Sequence, residues 1–195
     1  MRAEQIVVTG MLAAIAFLLM AAIQIPILPA APFLTYDPSD AVALLAGILY
    51  GPASGVTVVF LKDVLFLLLR ARGPLGPLAD FIAAATFVGV TAWAYRRGAG
   101  PAAAFGLPGS RPRRAFARRL VEAAVLGAAA RVAVMIPANF ALLALQFGMS
   151  PARVAGMLVS AIVPFNAVKA LANAAVAVLI AEPFLRASGA RTPSR

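Results

Sequence analysis

Asn166, Lys169 and Asn173 recur at i, i+3 and i+7 in the run IVPFNAVKALANAA at 162–175, so on a helix they share one face. Two amides supply donors and acceptors, and an ammonium supplies three donors and a charge. That set suits recognition of a small molecule with a polar edge. A lysine inside an apolar helix is costly and faces a polar cavity or a partner. Lys169 therefore lines a ligand cavity, snorkels to the membrane interface, or pairs with an acid such as Asp63 or Asp80.

A second polar group closes the stretch IPILPAAPFLTYDPSD at 25–40, where three prolines precede Asp37 and Asp40 and no basic residue occurs. Proline fixes φ and removes an N–H, so this loop is expected to be stiff and extended. Asp37, Pro38 and Asp40 also read as a helix start, with Asp37 as N-cap, Pro38 at N1 and Asp40 at N3. The two readings of the stretch are a capped helix and a rigid lid over a pocket on the outer face. Asn139, two residues after Pro137, is a further amide able to meet a ligand or to bond another helix. Lys62, Asp63 and Arg131 are charges within apolar runs. Neighbours diverge by about 100° on a helix, so Lys62 and Asp63 need not pair. Arg131 is expected to form an ion pair with Glu122, Asp63 or Asp80.

These residues are embedded in a chain of 195 residues that is 63% hydrophobic and 12% charged, with a mean hydropathy of +0.93. Soluble domains are roughly half apolar and a quarter charged. A crossing helix needs about 20 apolar residues, so the length allows about six spans and no separate extramembrane domain. The spans are expected at roughly 5–25, 39–49, 53–69, 78–95, 116–147 and 162–185, within one transmembrane domain covering 1–195. The first run reads as a retained span instead of a signal peptide. The second is short for a full crossing, and the fifth carries Pro137, where a kink is expected.

The net charge of +10 comes from arginines set between apolar runs, not from a stripe that would bind nucleic acid. With the amino terminus inside, Arg2, Arg96, Arg97, Arg111, Arg113, Arg114, Arg118, Arg119, Arg186, Arg191 and Arg195 fall inside, against Arg70, Arg72 and Arg153 outside. That bias predicts both termini in the cytoplasm. The Gly-, Pro- and Ala-rich segment 98–112 reads as a flexible inside linker, part of the connection at 96–115. Cysteine and histidine are absent, which excludes disulfides, thiolate chemistry and the commonest metal ligands. No catalytic triad, paired acids or phosphate-cradling loop is visible, so the chain is not expected to be an enzyme or to hydrolyse ATP itself. Gly10 and Ala14 form a small-xxx-small pair suited to packing in the bundle or docking to another membrane protein.

On APFLTYDPSD at 31–40, AGILYGPASG at 46–55, LKDVLFLL at 61–68 and VPFNAVKALANA at 163–174, the chain resembles the substrate-binding S components of energy-coupling factor (ECF) vitamin transporters. It is most similar to the riboflavin-specific group. The resemblance implies an all-α bundle of six transmembrane helices with both termini cytoplasmic, in the bacterial cell membrane. It implies high-affinity capture of riboflavin as transported ligand, with no cofactor. It also implies a transmembrane coupling subunit and two cytoplasmic ATPases as partners. Asn139, Asn166 and Lys169 then match positions facing the isoalloxazine ring. Leu34 and its neighbours Tyr36 and Asp37 match the capping loop, and Gly10 and Ala14 match a docking pattern with Gly10 in place of alanine. Competing readings are an S component for another vitamin or heterocycle, a membrane-embedded lipid-modifying enzyme, and an assembly protein without a ligand.

Overall fold

Helix α2 (Ser39–Tyr50) is the shortest apolar helix and the most enclosed, with every residue from Ser39 to Leu49 buried. At about 1.5 Å per residue it spans ~18 Å, well short of a hydrocarbon core of ~30 Å. Around it stand α1 (Ala3–Ala22), α3 (Pro52–Leu69), α4 (Leu75–Ala99) and the last helix, while α5 (Arg113–Phe147) packs on α4 and on that last helix. The last crossing is built from α6 (Pro151–Met157), a π-helical turn (Leu158–Ile162) and α7 (Val163–Gly189). The computed structural model describes residues 3–29, 31–99 and 113–189, with backbone alone at 98–99, 113–115 and 182–189. The inside linker expected at 98–112 lies almost wholly outside the described residues.

Five stretches are long and apolar enough to cross a membrane: Ala3–Ala22, Pro52–Leu69, Leu75–Arg97, Phe116–Phe147 and Pro151–Ala181. With α2 they make the six expected helices. The last begins eleven residues before the expected Ile162, at Pro151, where the Ser150 hydroxyl accepts from the Arg153 N–H at 3.4 Å. Serine before proline is a helix-start signature that the reading by hydropathy passed over. The π turn follows from Pro164, which has no N–H to give Ser160 and whose ring crowds that carbonyl. The chain widens just before it, and the Val163 N–H reaches back to the Leu158 carbonyl. Helix α5 runs through Pro137 without interruption.

Glycines bring the central helices close. A Cβ on Gly55 would lie 2.6 Å from Val88 Cγ1 and 2.9 Å from both the Ala43 carbonyl and Gly47 Cα. This explains the AGILYGPASG stretch as the crossing of α2, α3 and α4. Gly51, at φ 110°, makes the sharp turn from α2 into α3. There the Arg96 guanidinium donates to the Ile48 and Leu49 carbonyls at 3.1 and 3.3 Å, closing the end of α2.

Candidate functional site

Because α2 is short, its first turn begins deep in the bundle, and the space above it is a cavity of about 950 Å³. The stretch before α2 closes over this space as a strap. Ile25–Pro26 (β1) and Thr35–Tyr36 (β2) pair antiparallel, with Ile25 opposite Tyr36 and Pro26 opposite Thr35. The Phe33 ring stacks on Phe147 at the end of α5, with centroids 5.1 Å apart. Phe33 thereby joins a small apolar cluster with Leu143, Val154 and Ile162.

Leu34, Asp37, Asn139, Asn166 and Lys169 all line the cavity. Tyr36 does not. Side chains alternate along an extended segment, so Thr35 and Asp37 face inward while Tyr36 turns to the other side. Burial, followed by the Asp37 and Asp40 carboxylates, pushes the Tyr36 phenol above its ordinary range, so it stays neutral.

The polar residues form a nearly continuous chain of contacts through the bundle. Lys169 donates to Asp37 Oδ2 at 2.7 Å, Asp80 Oδ1 at 2.9 Å and the Thr35 carbonyl at 3.4 Å. Asp80 Oδ2 accepts from Lys62 at 2.6 Å, and Lys62 lies 3.1 Å from Asp40 Oδ1. Asp40 Oδ2 accepts from Arg131 Nη1 at 3.0 Å. Arg131 Nε in turn donates to Asn166 Oδ1 at 2.9 Å. The chain thus leaves α7 at Asn166 and returns to it at Lys169, visiting α5, α2, α3 and α4 on the way. Lys62, Arg131 and Asp40 are each at most 1% exposed, so these charges are held by one another and not by water.

Several sequence expectations are corrected here. Arg131 pairs with Asp40, not with Glu122, Asp63 or Asp80. Glu122 is on the surface and takes Arg118 one turn away. Lys62 and Asp63 do approach, at 3.7 Å, but Asp63 accepts no hydrogen bond from any described residue. Helix α2 starts at Ser39, as the expected span has it, but the cap is shifted by one residue, with Pro38 and not Asp37 in the N-cap position and making no side-chain cap. Asp37 Oδ1 instead accepts from the Ser39 N–H at 3.1 Å and from the Ser39 hydroxyl. Asp37 therefore serves both earlier readings, with one oxygen on the helix start and the other on Lys169. Burial alone would raise the Asp37 carboxyl, but the Lys169 and Lys62 ammoniums outweigh it and hold the group below the ordinary carboxylate range.

The amides are set by their own helices. Asn139 Nδ2 donates to the Met135 carbonyl at 2.7 Å and Asn166 Nδ2 to the Ile162 carbonyl at 2.9 Å, within the π turn. Asn173, one turn beyond Lys169, donates to the Asp37 and Lys169 carbonyls, both at 3.1 Å, and so holds the strap instead of lining the cavity. Gly10 and Ala14 lie on the outward face of α1, beside exposed Ile6, Val7 and Met11, while Thr9, Leu12, Ala13 and Ala16 face the core. A Cβ on Gly10 would meet nothing within 4 Å, so the pair takes no part in packing the bundle.

Known proteins share this architecture. The chain is similar to the riboflavin transporter RibU of Staphylococcus aureus (strain TCH60), at 30% identity over 184 residues, covering 91% of this chain and 88% of that one. It is 28% identical over 190 residues to the riboflavin transporter FmnP of Bacillus subtilis (strain 168), covering 92% and 91%. A solved S component of a bacterial ECF transporter superposes with a TM-score of 0.75 at 26% identity, covering 95% of this chain and 98% of that one. The family model for the ECF transporter substrate-specific component matches residues 4–181. The chain therefore belongs to the substrate-specific components of ECF transporters, which are multi-pass proteins of the cell membrane and not enzymes.

Proposed function

We propose that the chain captures riboflavin in the cavity above α2 and delivers it to an ATP-driven importer. The observation that carries this reading is the wall of the cavity. Its lining combines polar residues, Asn139, Asn166 and Lys169 among them, with apolar ones such as Leu34, Phe33, Met135, Leu142 and Phe165. A flavin has the same division, with an apolar benzenoid body and a dione edge rich in acceptors. The two riboflavin transporters similar to this chain across most of its length support the same ligand.

In this reading Leu34 and Asp37 belong to the capping strap, and Tyr36 supports it from the far side. Lys169 meets the ligand by giving up its longest bond, the 3.4 Å contact to the Thr35 carbonyl. The distribution of arginines orients the strap outward and both termini toward the cytoplasm. Gly10 and Ala14, exposed on α1, form the docking face for a transmembrane coupling subunit, itself coupled to two cytoplasmic ATPases. The cavity, termini and linker belong to one transmembrane unit.

Titration of riboflavin into purified protein, followed by quenching of flavin fluorescence, tests the reading. Tight binding is expected, weakened by Lys169→Ala and by Asn166→Ala. Removing one buried partner costs about 1 to 3 kcal/mol, so each loss should be roughly 5- to 150-fold. Undiminished binding by both variants would remove these residues from the site, and preference for an unrelated vitamin would remove the flavin.

A further inference from the structure

The polar wall is short of donors wherever the sequence motif led one to expect them. Lys169 has three N–H donors, and Asp37, Asp80 and the Thr35 carbonyl accept all three. Asn139 and Asn166 each spend one N–H on their own helix. Arg131 is different. Its guanidinium has five donors, of which Nε serves Asn166 and Nη1 serves Asp40. Arg131 lines the cavity, and among the described residues its Nη2 meets no acceptor and is not one of the fully buried side-chain atoms without a partner. Asp40 and Asn166 together fix the plane of the guanidinium, so the remaining donors point in a set direction without further loss of side-chain freedom.

We propose that Arg131 is a direct, specificity-determining contact, its guanidinium donating from the α5 wall to the acceptor edge of the bound heterocycle beside Asn166. This rests on the flavin reading above and adds to it the residue that reads the dione carbonyls. A planar fork with fixed partners favours ligands presenting adjacent acceptors in one plane, as a flavin carbonyl does with its neighbouring ring nitrogen (C2=O with N1, or C4=O with N5), and disfavours those with a weak acceptor there. Asn166, whose Oδ1 is taken by Arg131, is left to offer its second N–H to the same edge.

The test is a cycle between protein and ligand. Riboflavin, 2-thioriboflavin and 4-thioriboflavin are titrated against the wild type and Arg131→Lys, which keeps a positive charge opposite Asp40. Hydrogen bonds to charged groups correspond to about 10- to 150-fold in affinity. The wild type should prefer riboflavin over at least one thio analogue by a factor in that range, and the preference should collapse toward unity in Arg131→Lys. If Arg131→Lys weakens all three ligands equally, Arg131 acts only through Asn166 and Asp40, and the proposal is overturned. Failure of the wild type to bind riboflavin would instead overturn the flavin reading, and this one with it. Should Arg131→Lys not fold, ¹⁵N-arginine-labelled wild-type protein decides. The guanidinium resonances of the one buried arginine among the described residues should shift on adding riboflavin, and unchanged resonances would overturn the contact.

Discussion

Asp37 and Lys169 meet at 2.7 Å, joining the strap that precedes α2 to the helix that carries the amides. Both side chains are 3% exposed, so the pair is shielded from solvent screening. Lys169 also holds Asp80, which means that the strap is fastened to a charge network that exists without it. Asp37→Asn should therefore leave the bundle folded while loosening the strap. We expect amide exchange in the described part of the strap to accelerate and riboflavin affinity to fall about 10- to 150-fold, the range for a charge-assisted bond. Exchange measured by mass spectrometry checks the first and fluorescence titration the second.

The same pair sets a pH dependence. The folded Asp37 carboxyl lies below its ordinary range, so its contribution is fully present above the unfolded value of about 3.9. It is lost only as pH falls through the lower folded value. Strap protection should thus be unchanged between pH 8 and pH 5 and should decline only in stronger acid. A loss already complete at pH 5 in the exchange experiment would contradict the ion pair.

Phe33 fixes the other side of the strap against Phe147. Aromatic pairs contribute about 0.5–1.5 kcal/mol beyond their burial, so Phe33→Ala should speed ligand release by at least about 2- to 12-fold. Stopped-flow displacement by excess unlabelled ligand reads the off-rate directly.

Gly55 and Gly10 should respond oppositely to the same change. At Gly55 a side chain has Val88, the Ala43 carbonyl and Gly47 in its way, so Gly55→Val should cost about 1–3 kcal/mol or more and lower the thermal midpoint in detergent. At Gly10 the surface is open, so Gly10→Val should leave the midpoint and riboflavin binding unchanged. On the proposed docking role of Gly10, it should instead reduce co-purification with the proposed transmembrane coupling subunit.

Lys62 is fully buried between Asp40 and Asp80. Among the described residues Lys62 is the one cation that touches both, so Lys62→Met should destabilise by about 3–5 kcal/mol, the range for breaking a buried pair from one side. Thermal unfolding followed by circular dichroism measures it. An unchanged midpoint would mean that the acids find another partner.

Hydropathy and punctuation were enough to read the number and order of the crossings, though not the start of the last one at Pro151, because the bilayer leaves few alternatives to a long apolar helix. The helical spacing of Asn166 and Lys169 likewise placed them on one face, and the cavity wall contains both. The Lys169–Asp80 pair is one of the partners the sequence offered, but the rest of the pairing across the bundle stayed hidden. Arg131 and Asp40 are 91 positions apart, and no local pattern ties one to the other. An excess of intramembrane charge was visible, but its wiring depends on helix order and rotation. Tyr36 was misplaced for a smaller reason: it lies next to two inward-facing residues, and a two-residue strand is too short for alternation to be read from sequence. The π turn was signalled by Pro164, though only the fold shows that it presents Asn166 to Arg131.

The shortness of α2 has a consequence for how occupancy is felt by the whole protein. About 12 Å of the ~30 Å hydrocarbon depth has no central helix, and the cavity takes its place. A ligand there would act as a detachable segment of the bundle, held between the strap, α4, α5 and α7, whose residues line the cavity. Loading and rigidity are then one property. An unloaded and a loaded molecule should differ throughout the strap end in stiffness, and any partner that senses that stiffness can sense the cargo without touching it.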